Sequence, residues 1–331
     1  MSITTPRVAV YGAYGHTGRF VVAELLRRGV EPVVSGRDAT RLAATGLEAR
    51  PAATGDPTAL AAAFAGADAV INVAGPFLDT AVPVAAAAVR AGAHYLDVSA
   101  EQAPVRALAA ELGATARAAG VSVVPAMSFF GGLADLLATA AVGDRRGDDV
   151  TVAIGIDRWW PTAGTRITGR RTTAPRLVVT DGALAPADAE PEVRTWHFPE
   201  PLGAQEVVAH PFSETVLIAD HLPVRSVRTF LTTAPLADLR DPATPAPEAV
   251  DDLGRSAQRF TVEVDAGGRR ISASGRDIYA VTAPLVVEAA LRLGRDRPGG
   301  VWAPGARFDA EDFLAALTPE PLSLRHPVPA R

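Results

Sequence analysis

The residues whose order says most about chemistry are the three glycines of Gly12-Ala13-Tyr14-Gly15-His16-Thr17-Gly18. Val8-Ala9-Val10-Tyr11 runs directly into them as an apolar, β-favouring segment, and Phe20, Val21, Leu25 and Leu26 follow at helical spacing. Strand, glycine turn, helix is the order that a phosphate requires. Glycine permits the tight turn and close backbone approach, and the amides and positive dipole end of the following helix attract an anion. The spacing is Gly-x-x-Gly-x-x-Gly, not the Gly-x-Gly-x-x-Gly of the NAD fingerprint, so the flanking strand and helix carry the reading. It predicts a dinucleotide, held by Gly12, Tyr14, Gly15, His16, Thr17 and Gly18. For His16 two placements fit, over the pyrophosphate or toward solvent.

Two further segments would complete such a site. The second strand of a dinucleotide-binding unit meets the adenosine ribose, where a carboxylate selects the 2'-hydroxyl of NAD and an arginine accommodates the 2'-phosphate of NADP. Here it ends Ser35-Gly36-Arg37. Asp38 reads as the cap of a short helix, so NADP(H) is the expected cofactor. The fourth strand ends Asn72-Val73-Ala74-Gly75-Pro76-Phe77; Asn72, Ala74 and Gly75 suit a close approach to the cofactor, and Pro76 and Phe77 a wall beside the nicotinamide. Asp56, before Pro57, reads as a helix cap or an adenine contact.

A nicotinamide supplies the hydride, so the protein must position the substrate and deliver a proton. Asp97 and Ser99 follow the fifth strand, and Tyr279 precedes a returning helix. These three are the candidate catalytic residues. For Asp97 the competing role is a loop brace, and for Tyr279 a buried structural phenol. Ser128, Phe129 and Phe130 after the sixth strand, with Trp159, Trp160 and Arg166 further on, are candidate substrate contacts. Tryptophan and arginine together grip aromatic or carboxylate-bearing ligands, and equally populate oligomer interfaces. The six histidines show no ligand spacing, so no metal is predicted.

These residues need elements to hold them. Strands are expected at Val8–Tyr11, Pro32–Ser35, Leu47–Arg50, Ala69–Val73, His94–Val98 and Val121–Pro125. Helices are expected between them at Thr17–Arg28, Ala39–Ala44, Pro57–Phe64, Pro83–Ala91 and Pro104–Ala119, with a last one at Leu133–Val142. That alternation describes a doubly wound parallel sheet. From Asp148 the texture turns to strands, at Thr151–Asp157, Arg166–Thr173, Arg176–Val179, Val207–Ala209, Val216–Ala219, Val227–Thr232, Phe260–Asp265 and Arg270–Ser274. Ala234–Ala249 reads as a loop, Ala283–Leu293 and Asp309–Leu317 as helices, and Pro319–Arg331 as an extended tail. The fold class is therefore α/β, a Rossmann doubly wound parallel sheet with a second α+β domain on a mostly antiparallel sheet. The domains are expected at 1–130, at 131–275 and, as a C-terminal return packing on the first, at 276–331.

With 331 residues, 48% hydrophobic and 21% charged, the chain can bury a large core, and a net charge of -5 offers nucleic acid nothing. No run reaches the roughly eighteen apolar residues of a membrane span, and no leader precedes the first strand, so a cytoplasmic protein is expected. Cysteine is absent, and every one of the 32 basic residues is arginine. This excludes disulfides, thiolate catalysis, Schiff-base lysines and a Tyr-x-x-x-Lys relay.

The glycine loop, Ser35-Gly36-Arg37, Asn72-Val73-Ala74-Gly75-Pro76-Phe77 and Gly92-Ala93-His94-Tyr95-Leu96-Asp97-Val98-Ser99-Ala100-Glu101 together resemble the saccharopine dehydrogenase-like NAD(P)-binding family, including its trans-acting enoyl reductase group. The match is best over the first 140 or so residues. Gly275-Arg276-Asp277-Ile278-Tyr279 and Gly300-Val301-Trp302-Ala303-Pro304 are similar to that family's C-terminal return. The segment Ala126–Gly132 departs from the Cys-Gly-Phe-Asp-Ser-type loop common in the family. The resemblance implies an NADPH-dependent oxidoreductase that transfers hydride to a C=N or activated C=C bond of a small metabolite, and a homodimer. A non-catalytic NADP(H) sensor or partner-binding protein is the alternative.

Overall fold

The computed structural model describes residues 6–294 and 298–325. They divide into two compact units: the chain up to Ser128 with Thr282–Trp302, and Phe129–Val281 with the chain from Ala303 on. In chain order the first unit contributes β1 (Val8–Tyr11), α1 (His16–Arg27), β2 (Val33–Gly36), α2 (Ala39–Ala43), β3 (Ala49–Pro51), α3 (Pro57–Phe64), β4 (Ala69–Asn72), α4 (Phe77–Arg90), β5 (His94–Asp97), α5 (Gln102–Ala119) and β6 (Ser122–Val124). The second follows with α6 (Gly132–Val142), β7 (Asp149–Ile156), α7 (Ala163–Arg171), β8 (Leu177–Thr180), β9 (Ala183–Pro186), β10 (Val193–His197), β11 (Ala204–Ala209), α8 (Ser213–His221), β12 (Ser226–Thr232), α9 (Thr233–Arg240), β13 (Arg259–Ala266) and β14 (Arg269–Arg276). The chain then re-enters the first unit as α10 (Thr282–Arg292) and β15 (Gly300–Val301), and finishes in the second as α11 (Pro304–Arg307), α12 (Ala310–Ala316) and β16 (Ser323–Arg325).

The first unit's sheet runs β15-β6-β5-β4-β1-β2-β3, all parallel. Strands of such a sheet are covered on both faces and read as unbroken apolar runs, which is why Val8–Tyr11 and Ala69–Asn72 are buried throughout. The order reverses between β1 and β4, and the carboxyl ends flanking that switch point are where an open α/β sheet takes its ligand. One face carries a core built around Phe64, Val84, Tyr95 and Leu108. On α1, Arg28 pairs with Glu24 at 2.6 Å and with Glu288 of α10.

The second unit's sheet runs β10-β11-β12-β7-β13-β14-β16, with β8 on β12 and β9 on β8. Only β12 and β7 pair in parallel; the other pairings are antiparallel. On one face Ala153, Trp196, Phe198, Val207 and Phe230 form a small core, and the Trp196 indole donates to Glu263 Oε1 at 3.0 Å.

Several elements differ from expectation. The fourth helix begins at Phe77 and contains Pro83 in its interior. Proline favours the first turn of a helix, but burial of Phe77, Ala81, Val84, Ala85 and Ala88 on one face outweighs the one lost backbone bond. The segments 166–171 and 216–219 are helical, not extended: Thr162 caps α7 by accepting from Thr165 N at 3.1 Å, and in α8, which has no side-chain cap, Glu214 accepts from Phe212 N at 2.9 Å. Short β-branched runs do not distinguish strand from helix by pattern. The 234–249 stretch begins as α9, and β9 and β10 were not foreseen. Residues 326–331 of the expected tail lie outside the described residues. No helix among the described residues is long and apolar enough to cross a membrane.

Candidate functional site

In the first unit the glycine loop turns tightly at the end of β1. Gly12 N donates to Ser35 O at 2.8 Å and Gly15 N to Gly12 O at 2.9 Å. Gly12 has φ +91°, and a Cβ there would stand 2.9 Å from Ala74 Cβ; one on Gly18 would stand 2.3 Å from Gly12 O. Both positions therefore require glycine, the first to let the β1 loop touch the β4 loop and the second to seat α1 on its own turn. The helix starts at His16 with no side-chain cap. Its first-turn amides, which have no intrahelical acceptor, point to the place where a pyrophosphate fits. His16 packs edge-on against Phe20 at 5.4 Å and lies 3.4 Å from the Arg19 guanidinium.

At the end of β2, Ser35 is fully buried and its hydroxyl donates to Arg50 O at 2.8 Å. Its side chain thus belongs to the β2–β3 pairing, and its carbonyl accepts from Gly12 N. Gly36 lies against the Tyr14 ring, where a Cβ would come within 3.0 Å. Arg37 is exposed. Asp38 caps α2 by accepting from Arg41 N at 3.0 Å, so no carboxylate competes for a phosphate at the strand tip. Sequence reasoning missed Arg41: its guanidinium stacks 4.3 Å above the Tyr14 ring and donates to Tyr14 O at 3.2 Å. The signal was its place on α2, four residues beyond Arg37, which precedes the helix and its Asp38 cap.

The β4 end is organised from inside. Buried Asn72 accepts from Ala74 N at 3.0 Å and donates to the Tyr95 hydroxyl at 3.0 Å, and Thr80 Oγ1 donates to Ala74 O at 2.6 Å. Asn72 thus shapes the Ala74–Phe77 loop from behind; Gly75 is exposed and Phe77 is buried as the first residue of α4. Tyr95 passes the chain on to Asp97 Oδ2 at 3.1 Å. The other Asp97 oxygen accepts from Ser99 N at 3.0 Å, Ser99 Oγ at 2.7 Å and Ala126 N at 2.8 Å. Burial pushes the Asp97 pKa up, against these bonds. Four donors on one enclosed carboxylate make Asp97, with Ser99, a brace that pins Ala126 in the left-handed region at φ +52°. Of the two roles weighed for Asp97, these bonds fit the loop brace. Ser128 Oγ lies 3.4 Å from Ser99 O.

The second unit gathers the remaining candidates. Trp159 stacks on Phe130 at 5.4 Å, Phe130 lies 4.2 Å from Phe212, and Phe129 meets Phe130 and Phe260, each at 4.8 Å. Arg158 lies 6.0 Å from the Trp160 ring and forms a two-pronged pair with Asp238. Arg166 donates to Thr244 O at 2.7 Å and Leu239 O at 3.4 Å, which ties α7 to the segment around α9 and engages its guanidinium with backbone. The Tyr279 oxygen receives Trp159 Nε1 at 3.1 Å and Thr162 N at 3.3 Å, and shares a hydrogen bond with Thr165 Oγ1 at 2.9 Å. Burial raises its pKa. Tyr279 therefore joins the β7–α7 connection to the turn after β14, which fits the structural phenol of the two roles weighed for it.

The first unit's switch-point sheet, glycine turn and uncapped helix define a dinucleotide-binding Rossmann domain. Residues 8–124 match the family model described as the saccharopine dehydrogenase NADP binding domain. The chain thus carries a saccharopine dehydrogenase-like NAD(P)-binding domain, of the kind found in NAD(P)-dependent oxidoreductases, and the match supports NADP(H) as its cofactor. Among solved structures, apo saccharopine dehydrogenase (L-Glu forming) from Saccharomyces cerevisiae aligns at a TM-score of 0.61 with 14% identity, covering 98% of this chain and all (100%) of that one. Amine dehydrogenase from Mycobacterium smegmatis aligns at 0.50 with 13% identity, covering 92% and 96%. The triphenylmethane reductase of Citrobacter sp. complexed with NADP(H) aligns at 0.30 with 24% identity over 36% of this chain and 48% of its own. The first two alignments extend the likeness of fold to both units. A comparison with curated protein sequences gave no match.

Proposed function

We propose that the chain is an NADPH-dependent oxidoreductase that transfers hydride to a C=N or activated C=C bond of a small metabolite. The observation that carries the reading is the β1–α1 turn, in which Gly12 and Gly18 are both sterically obligatory and α1 is uncapped, next to a β2 tip whose nearby carboxylate is turned away. The names of two structures whose fold likeness spans most of this chain, a saccharopine and an amine dehydrogenase, support chemistry at a carbon–nitrogen bond.

Bound NADPH supplies the hydride. The chain's own residues hold and select it: amides of the Gly12–Gly18 turn take the pyrophosphate, and Arg37 takes the 2'-phosphate, aided by Arg41, which Tyr14 holds in place by stacking. Asn72 fixes the Ala74–Phe77 loop that walls the nicotinamide side. The second unit takes the substrate and forms the contacts of a homodimer, which solution scattering would test.

The test is calorimetric titration with NADPH and NADH, followed by a screen of imines and enones for coenzyme oxidation. NADPH is expected to bind more tightly, and Arg37→Ala to weaken it by about tenfold or more while NADH changes little. Equal losses for both coenzymes refute the 2'-phosphate role. One observation favours a second reading, a non-catalytic NADP(H) sensor: Asp97 and Tyr279 are fully engaged in structural hydrogen bonds. Stoichiometric NADPH binding with no turnover on any imine or enone would select it.

A further inference from the structure

In the second unit, α8 begins beside the stack of Phe212, Phe130 and Trp159. Its second residue, Glu214, is completely buried. One carboxyl oxygen, Oε1, accepts from Phe212 N at 2.9 Å and Thr229 Oγ1 at 2.7 Å. The other, Oε2, is enclosed and has no hydrogen-bond partner among the described residues, and the same holds for the neighbouring Thr215 hydroxyl. Two enclosed oxygens without partners, on consecutive residues of the first turn of α8, are a departure from the rule that buried polar atoms are satisfied.

The division of labour between the two Glu214 oxygens dictates their chemistry. Oε1 already takes two donors, as a carbonyl oxygen does. An ionised Oε2 would need donors of its own, and the described residues provide none; a protonated Oε2 instead becomes a hydroxyl in search of an acceptor. Burial pushes the Glu214 pKa up against the bonds from Thr229, Phe212 and its own backbone amide and the charge of Arg176, which agrees. Arg176 lies 5.5 Å from the Phe212 ring and donates to Pro211 O at 2.7 Å. His210, 4.9 Å from the same ring, is held neutral, its pKa pushed down to about 3 by burial and by the charges of Arg176 and Arg240.

We propose that the first turn of α8 is a binding subsite for a carbonyl or carboxylate oxygen of a small aromatic molecule, with Glu214 and Thr215 as its two hydroxyl donors. Glu214 enters it as a neutral acid, and Phe212, Phe130 and Trp159 supply the ring contacts. The proposal is independent of the hydride-transfer reading, and its test uses no coenzyme.

The full chain is titrated calorimetrically with benzoate, acetophenone and benzylamine. Benzoate or acetophenone is expected to bind at least about tenfold more tightly than benzylamine, the size of effect one buried hydrogen bond produces. The tighter of the two tells a carboxylate acceptor from a carbonyl one. Glu214→Met and Thr215→Val should each weaken the preferred probe about tenfold, whereas Glu214→Gln, which keeps one acceptor and one donor, should stay within about threefold. In infrared difference spectra of wild type minus Glu214→Gln, a protonated carboxyl band should appear at neutral pH, a readout that stands even if Glu214→Met does not fold. Preference for benzylamine, absence of saturable binding by both oxygen probes, wild-type affinity in Glu214→Met, or absence of the infrared band would each overturn the proposal.

Discussion

Two clusters of buried polar side chains, one in each unit, are built differently. In the first, Asn72, Tyr95, Asp97 and Ser99 form an unbroken run in which each donor meets an acceptor, and the surface left for a ligand is backbone: glycine amides and an uncapped helix. In the second, Tyr279 gathers three partners while Glu214 keeps one oxygen without any. The contrast teaches that side chains which satisfy one another serve to shape the main chain around them, whereas a side chain with unused bonding capacity is the place to look for a ligand. Hydrogen-bond satisfaction, and not residue type, separates framework from site.

The contrast can be broken most severely at Asp97. Asp97→Ala leaves the Tyr95 hydroxyl, the Ser99 hydroxyl and two backbone amides without their acceptor, and should lower stability by about 3–5 kcal/mol in denaturant titration. If Asp97→Asn instead folds with wild-type stability but loses turnover, Asp97 is a catalyst and not a brace. Next comes Gly18→Ala, whose methyl would meet the carbonyls of Gly12 and Ala13 at 2.3 and 2.7 Å. A cost of about 2–3 kcal/mol in thermal melting is expected, with NADPH affinity falling by about a hundredfold. Intact NADPH binding in this variant would show that the turn is mere packing.

Smaller effects sharpen the comparison. Arg41→Ala should weaken NADPH by about three- to fivefold, less than Arg37→Ala, because its guanidinium is partly engaged with Tyr14; a larger loss than at Arg37, by calorimetry, would reverse their ranking. In the second unit His221 Nε2 lies 2.9 Å from Asp135 Oδ1, whose other oxygen accepts from Gly305 N at 2.7 Å. Burial opposes the imidazolium, but the Asp135 hydrogen bond and the charges of Asp135 and Asp220 outweigh it, so the His221 pKa is raised. The protonated form is therefore stabilised by folding. That stability is complete below the ordinary histidine pKa of about 6.5 and is lost as pH rises through the raised value. Thermal melting from acid to mildly alkaline pH should show a decline of about 1 kcal/mol that His221→Gln flattens. An unchanged slope in the variant would assign the decline to other groups.

Local signals were legible in the sequence and non-local ones were not. Val8–Tyr11 and Pro57–Phe64 match their observed bounds residue for residue, because a buried parallel strand is a plain apolar run and Asp56 caps α3 within three residues. Asp38 was readable as a cap for the same reason. The α7 and α8 segments, each nine residues long, carry enough β-branched content to read as strands, and α8 has no side-chain cap to signal its start. The Asp97 contact with the Ala126 amide spans 29 positions, and nothing in the local pattern announces it. Arg41 was passed over because stacking on Tyr14 joins two different loops.

The route of the chain carries a last consequence, for synthesis. The strand that closes the nucleotide-binding sheet beside β6 is β15, and the helix that covers α1 is α10; both emerge from the ribosome only after the entire second sheet's central strands. Until then the nascent Rossmann sheet has an open edge at β6 and a bare flank on α1. Chains truncated before Thr282 should accordingly fail to protect β6 amides from hydrogen exchange even though every glycine of the phosphate turn is present.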